Sequence, residues 1–134
     1  MRILALDWGT VRVGAAISDE MQQIAFPLKE AFDSKQAIEE IKKLLSEYEF
    51  EKILVGLPKS LAGGATQSSN RVNQFIEQIK NAVAIPVETM DERFSSVGAG
   101  RSLEEQGLNQ KEQREIKDNI TAQLMLQSYL DTKI

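Results

Sequence analysis

The chain has neither cysteine nor histidine among its 134 residues. Without cysteine there is no disulfide, no thiol nucleophile and no thiolate metal site. Without histidine the commonest general base and the commonest zinc ligand are both missing. Acid–base or metal chemistry must therefore run on Asp, Glu, Lys or Tyr. An all-oxygen metal site favours a hard cation such as Mg2+ or Mn2+. Long apolar runs are lacking too: no stretch of about 18 apolar residues occurs, so no membrane span is expected. Asp7 interrupts the apolar N-terminus where a signal peptide would continue, which points to a cytoplasmic protein. A basic excess is also absent. The net charge of −4 argues against a broad nucleic-acid-binding face, although a local basic patch beside an acidic site can override it.

What is present suits a globular chain. The hydrophobic fraction is 42% and the charged fraction 27%, which excludes disorder for most of its length. The length fits a single domain, residues 1–134.

The chain is organised around Arg2-Ile3-Leu4-Ala5-Leu6-Asp7-Trp8-Gly9-Thr10. Four apolar residues in a row read as a strand buried on both faces, and the run stops at an acid. A carboxylate there needs a donor, a cation or a metal as partner. Arg12–Asp19 reads as a second strand returning as a hairpin, and Gly14, Ala15 and Ala16 allow a close neighbour. Ile24–Phe32 is a candidate third strand, with Pro27 marking an edge or a break. Asp33 and Gln36 resemble a capping box before a helix over about 35–48. Ile53–Leu57 is a further strand ended by Pro58.

A helix over about 67–81 places Val72, Phe75, Ile76 and Ile79 on one face. Ile85–Thr89 reads as the last strand. A short helix from Ser95 or Ser96 to about Gln106 follows, stopped by Gly107. Leu108–Arg114 reads as a loop. The final helix, about 115–130, carries Ile116, Ile120, Leu124 and Leu130 as its apolar stripe. Three strands followed by helix, strand, helix, strand and helices suggest an α/β fold with a five-stranded mixed sheet flanked by helices. The early strands are antiparallel, the later ones parallel. The ribonuclease H-like order has this pattern.

Three acids stand out. Asp7 ends the first strand, Glu92 follows the last, and Asp118 lies on the final helix. Open α/β sheets bind ligands beyond the carboxyl ends of their strands, where Asp7 and Glu92 both belong. A helix crossing the sheet would bring Asp118 to meet them. Three converging carboxylates repel unless cations lie between them. Two divalent ions about 4 Å apart would satisfy them and suit phosphodiester hydrolysis. Each acid also has a plainer reading. Asp7 can cap the turn at Gly9, Glu92 can pair with a surface charge, and Asp118 can be a solvated helix residue. Asp91 competes with Glu92, and spacing does not separate them.

The loop after Pro58 is a second candidate. Lys59, Ser60, Gly63, Gly64, Thr66 and Ser68 offer backbone N–H groups and hydroxyls to phosphates, and the helix from Gln67 adds its dipole. The P-loop spacing is absent, and a plain connection is the alternative. Arg71, Arg93, Arg101, Lys111, Arg114 and Lys117 can form a basic patch or a solvated face. Trp8 suits a base-stacking role or a core role equally.

Four blocks together resemble the YqgF/RuvX family: Leu4–Ala16, Val55-Gly56-Leu57-Pro58 with the Gly63-Gly64 loop, Asp91–Ser96, and Ile116–Asn119 with Leu126–Leu130. The resemblance covers nearly the whole chain. It implies a ribonuclease H-like fold related to the RuvC resolvases and a metal-dependent nuclease, associated in bacteria with maturing the 5′ end of pre-16S rRNA. It places the family's acids at Asp7, Glu92 and Asp118, holding Mg2+ or Mn2+, with two ions expected. Ser95 and Ser96 stand where paired threonines are common and keep the hydroxyl for substrate contacts. Ala62 replaces a frequent polar loop residue, and Thr121 a small apolar one.

The expected partner is structured RNA such as pre-16S rRNA, within ribosomal precursor particles, with the chain acting as monomer or homodimer. Three other readings stand beside it: a Holliday-junction resolvase acting on DNA, a non-catalytic rRNA-binding assembly factor, and a nucleotide-binding actin-like module.

Overall fold

The computed structural model describes residues 1–9, 11–29, 31–57, 67–91 and 110–132; at 57, 67–70, 91 and 110–118 it describes the backbone alone. Strands β1 (Arg2–Asp7), β2 (Arg12–Ser18), β3 (Ala25–Pro27) and β4 (Phe32–Asp33) come first. Helix α1 (Ala37–Glu47), strand β5 (Phe50–Leu57), helix α2 (Gln67–Ala82), strand β6 (Val87–Asp91) and helix α3 (Gln110–Asp131) follow. The sheet order is β3-β2-β1-β5-β6, with the short β4 joined to β2. β1, β2 and β3 pair antiparallel, whereas β1, β5 and β6 pair parallel.

β1 is central because its apolar run has no solvent face. Leu4 and Leu6 enter one cluster with Ala37 and Ile41 of α1 and Val72, Phe75, Ile76 and Ile79 of α2. Ile3 and Ala5 enter the opposite cluster with Ala122, Met125, Leu126 and Leu130 of α3. Strand alternation splits the run between the two helical layers. Each fully buried aliphatic side chain contributes roughly 1.5–3 kcal/mol. The α2 stripe is the one that the sequence periodicity predicts.

Four local expectations are corrected. The third strand divides in two, since pairing on β2 ends at Pro27 and resumes on β4 at Phe32. The five strands on the ladder path agree with expectation, and β4 is added to them. Asp33 does not cap α1. Its Oδ1 accepts the Lys35 N–H at 2.9 Å in the preceding turn, and Gln36, the N-cap, makes no side-chain cap bond. Gln110–Arg114 are helical, as the opening turns of α3. The stripe on α3 is rotated: Asn119, Thr121, Ala122, Met125, Leu126 and Leu130 are buried, whereas Ile120 and Leu124 are only half-buried. The expected short helix between Ser95 and Gln106 lies outside the described residues. Among the described residues no helix is long and apolar enough to cross a membrane.

Candidate active site at the carboxyl edge of the sheet

β1, β5 and β6 all run towards one edge of the sheet. There, Asp7 pairs with Gly14 on one side and Gly56 on the other, and Gly56 pairs with Met90. The row Gly14–Asp7–Gly56–Met90 therefore crosses four strands at one level. Asp7 shares the parity of Ile3 and Ala5, so its side chain is on the α3 face. Gly14 has the parity of Ala16, Gly56 that of Leu54, and both of those pack under α3. Asp7 is half-buried, and its two lateral neighbours carry no side chain. The small run Gly14-Ala15-Ala16 admits a close neighbour, as the sequence suggests; that neighbour is helix α3.

Side-chain hydrogen bonds fix the direction of α3. Asn119 Oδ1 accepts the Ala15 N–H at 2.8 Å, and Ala15 pairs with Leu6 near the carboxyl edge. Gln127 Oε1 accepts the Ala25 N–H at 2.9 Å, and Ala25 pairs with Ser18 near the opposite edge. The helix thus runs antiparallel to β1, and its N-terminal half approaches the Asp7 edge. The backbone of Asp118, just before Asn119, lies in that half of the helix.

The structure thus brings Asp7, the end of β6 and the Asp118 segment of α3 to one edge. Glu92 lies one residue beyond β6, outside the described residues. Lys59, Ser60, Gly63, Gly64, Thr66, Arg93, Ser95 and Ser96 lie outside them as well. Arg71 is exposed in the early part of α2, which follows β5 from the same edge. Among the described residues no three acids form a cluster able to hold a metal. Trp8 is partly buried and packs on the cluster of α1 and α2, the face opposite Asp7, which is the core role. Gly14, Gly56 and Asn119 are site-edge residues that sequence reasoning did not single out as functional. Strand glycines were the available signal.

The turn after Asp7 is tight. A Cβ on Gly9 would stand 2.5 Å from the Arg12 carbonyl oxygen, so only glycine fits as the chain reverses into β2. Two perturbed groups lie away from this edge. Lys52 Nζ donates to the Tyr129 hydroxyl and to Glu88 Oε1, each at 3.0 Å, beneath the C-terminal half of α3. The Tyr129 and Glu88 bonds hold the Lys52 ammonium above its ordinary pKa. Asp19, in the β2–β3 turn, is held below the ordinary carboxylate value by the backbone N–H groups of Ile24 and Gln23.

A carboxylate with glycine on both sides, in a sequence that has neither histidine nor cysteine, fits a hard divalent cation.

Comparison with known proteins extends the geometry. A family model described as "RuvX: Holliday junction resolvase" matches residues 1–132. A Dictyoglomus turgidum protein named "Putative pre-16S rRNA nuclease" is 36% identical over 134 residues, covering 98% of this chain and 95% of its own. A protein of the same name from Thermoanaerobacter pseudethanolicus is 38% identical over 136 residues, covering 99% and 98%. Among solved structures, Fowlpox virus resolvase in complex with Holliday junction DNA superposes with a TM-score of 0.61 over 98% of each chain. At 13% sequence identity that likeness shows the fold alone, which is ribonuclease H-like. With nearly the whole chain matched in each case, the protein belongs to the RuvX family.

Proposed function

We propose that this protein is a metal-dependent endonuclease that hydrolyses phosphodiester bonds in structured RNA and processes the 5′ end of pre-16S rRNA. The observation that carries the reading is Asp7, a half-buried carboxylate flanked by glycines at the edge where β1, β5 and β6 end. The name borne by the curated relatives supplies the substrate class.

Asp7, Glu92 and Asp118 would hold the cation. Glu92, rather than Asp91, is taken as the second acid because the family resemblance of the Asp91–Ser96 block places it there. When bound, two divalent ions would activate a water and stabilise the leaving oxygen. The chain's own contribution is to fix the carboxylates on a rigid sheet edge and to hold substrate phosphates. Lys59, Ser60, Gly63, Gly64 and Thr66 are assigned to the phosphates, with Arg71, Arg93, Ser95 and Ser96 beside them. Such chemistry needs no histidine.

The deciding assay is Mg2+- or Mn2+-dependent cleavage of a pre-16S rRNA fragment by wild type and Asp7→Asn. Cleavage by wild type and its loss in the variant are expected. Equal cleavage by both would remove Asp7 from the reaction. The family description favours one second reading, a Holliday-junction resolvase. A four-way DNA junction in the same assay separates the two, since preferential junction cleavage would replace the RNA assignment.

A further inference from the structure

Helix α3 carries three amides in one row, Asn119, Gln123 and Gln127, each one turn from the next. All three turn to the backbone of the sheet. Asn119 Nδ2 donates to the Leu28 carbonyl at 2.7 Å while its Oδ1 accepts the Ala15 N–H at 2.8 Å. Gln123 Nε2 donates to the Ala25 carbonyl at 3.1 Å. Gln127 Oε1 accepts the Ala25 N–H at 2.9 Å, and its Nε2 donates to the Gln23 carbonyl at 3.0 Å. β3 is the outermost strand on this side, and the helix side chains satisfy backbone groups that it turns away from β2.

This row does something that the apolar contacts beside it do not. Ala122, Met125 and Leu126 bury area without direction, and methionine adapts to small slides. Hydrogen bonds to fixed backbone atoms tolerate far less displacement. A slip of one residue along a helix moves every side chain by about 1.5 Å, whereas metal ligands are held to within about 0.2 Å. Asn119 is the rung nearest the carboxyl edge. It is 1% exposed, joins two segments at once, and adjoins Asp118.

We infer that Asn119 is a positioning residue: its amide fixes the height of α3 over the sheet and so sets where Asp118 stands relative to Asp7. The inference rests on the reading of these acids as cation ligands. Gln127, at the far end of the row, anchors the same helix without adjoining the site.

The test compares full-length wild type, Asn119→Ala and Gln127→Ala by three measurements. These are Mn2+ affinity by calorimetry, kcat and KM on a pre-16S rRNA fragment, and hydrogen exchange at the Ala15 amide. Asn119→Ala is expected to weaken Mn2+ binding and lower kcat by about 10- to 100-fold, the usual effect of losing a group that orients a ligand. KM for RNA should hold, and the Ala15 amide should exchange faster. Gln127→Ala should leave Mn2+ affinity at the wild-type level. If Asn119→Ala does not fold, Asn119→Ser, which replaces the amide with a shorter hydroxyl able to donate and accept, should give an intermediate Mn2+ affinity. Unchanged affinity in a folded Asn119 variant, or an equal loss in Gln127→Ala, would overturn the inference. A wild type that neither binds Mn2+ nor cleaves would instead overturn the nuclease reading beneath it, and this inference with it.

Discussion

Asp7 stands directly opposite Gly56 in the parallel β1–β5 pair, so the neighbouring strand leaves the space beside the carboxylate without a side chain. Glycine weakens a strand, so its presence in a buried central strand calls for a reason of space. Replacing it by a β-branched residue suits the strand and fills that space. Gly56→Val should therefore keep its far-UV circular dichroism while losing at least about tenfold in kcat/KM, or about 1.4 kcal/mol of transition-state stabilisation. Gly14→Val, on the other flank of Asp7, should act in the same direction. Wild-type cleavage by both folded variants would show that neither cation nor substrate uses this space.

Lys52, Tyr129 and Glu88 close a second relationship beneath α3. Besides the two Lys52 bonds, the Tyr129 hydroxyl lies 3.2 Å from Glu88 Oε2 as donor. The ammonium is favoured in the folded state, chiefly by Tyr129 and then by Glu88. A raised folded pKa means a contribution fully present below the unfolded value, about 10.4, and lost as pH rises through the folded value. Thermal midpoints should fall more steeply above about pH 10.4 in wild type than in Lys52→Met. Tyr129→Phe should cost about 1 kcal/mol at neutral pH, the net worth of a hydrogen bond. Parallel alkaline limbs for wild type and Lys52→Met would show that the ammonium is not linked to folding.

Where burial follows period, the sequence is legible. The run Ile3–Leu6 identifies a strand covered on both faces, and Val72, Phe75, Ile76 and Ile79 identify the inner face of α2. Asp7 is legible as an acid ending the first of these elements. The inner face of α3 is not. Ile120 and Leu124 suggest one stripe, but Asn119, Thr121 and Ala122 are the buried residues. A polar side chain can take a core position when the fold supplies its partners, and Ala15 and Leu28 supply them from far along the chain. Periodicity scores residues by polarity and so passes over such a face. The glycines beside Asp7 are hidden for a related reason. Their role depends on register between β1, β2 and β5, which no local pattern encodes.

Acid sensitivity should trace partly to Asp19. Its Oδ1 accepts the Gln23 N–H at 2.7 Å and the Ile24 N–H at 3.0 Å, closing the turn that leads β2 into β3. Those N–H groups favour the carboxylate and lower its pKa, Ile24 more than Gln23. A depressed folded pKa stabilises above the unfolded value, about 3.9, and that support disappears as pH falls through the folded value. Wild type should be more stable than Asp19→Ala at neutral pH, and the pH-dependent part of that difference should shrink on acidification. A gap independent of pH would assign the effect to the turn geometry instead of the charge.

Gly9 couples the turn to the site. The position that a Cβ would occupy is 2.5 Å from the Arg12 carbonyl oxygen, well inside van der Waals contact, and that oxygen belongs to the backbone. No rotamer change relieves such a clash, so the segment between Asp7 and β2 must shift. Forcing extra atoms into a packed place costs about 1–3 kcal/mol. Asp7 is two residues before the glycine, and Arg12 begins the strand that pairs with it. Gly9→Ala should therefore lower the unfolding free energy by that amount and also reduce cleavage at temperatures where the variant remains folded. Val11→Ala is the control within the same turn. Val11 is 72% exposed, and trimming it should change neither quantity appreciably. If Gly9→Ala lost stability but kept full activity when folded, the turn would be structural only, and the placement of Asp7 would depend on β1 and its ladder partners alone.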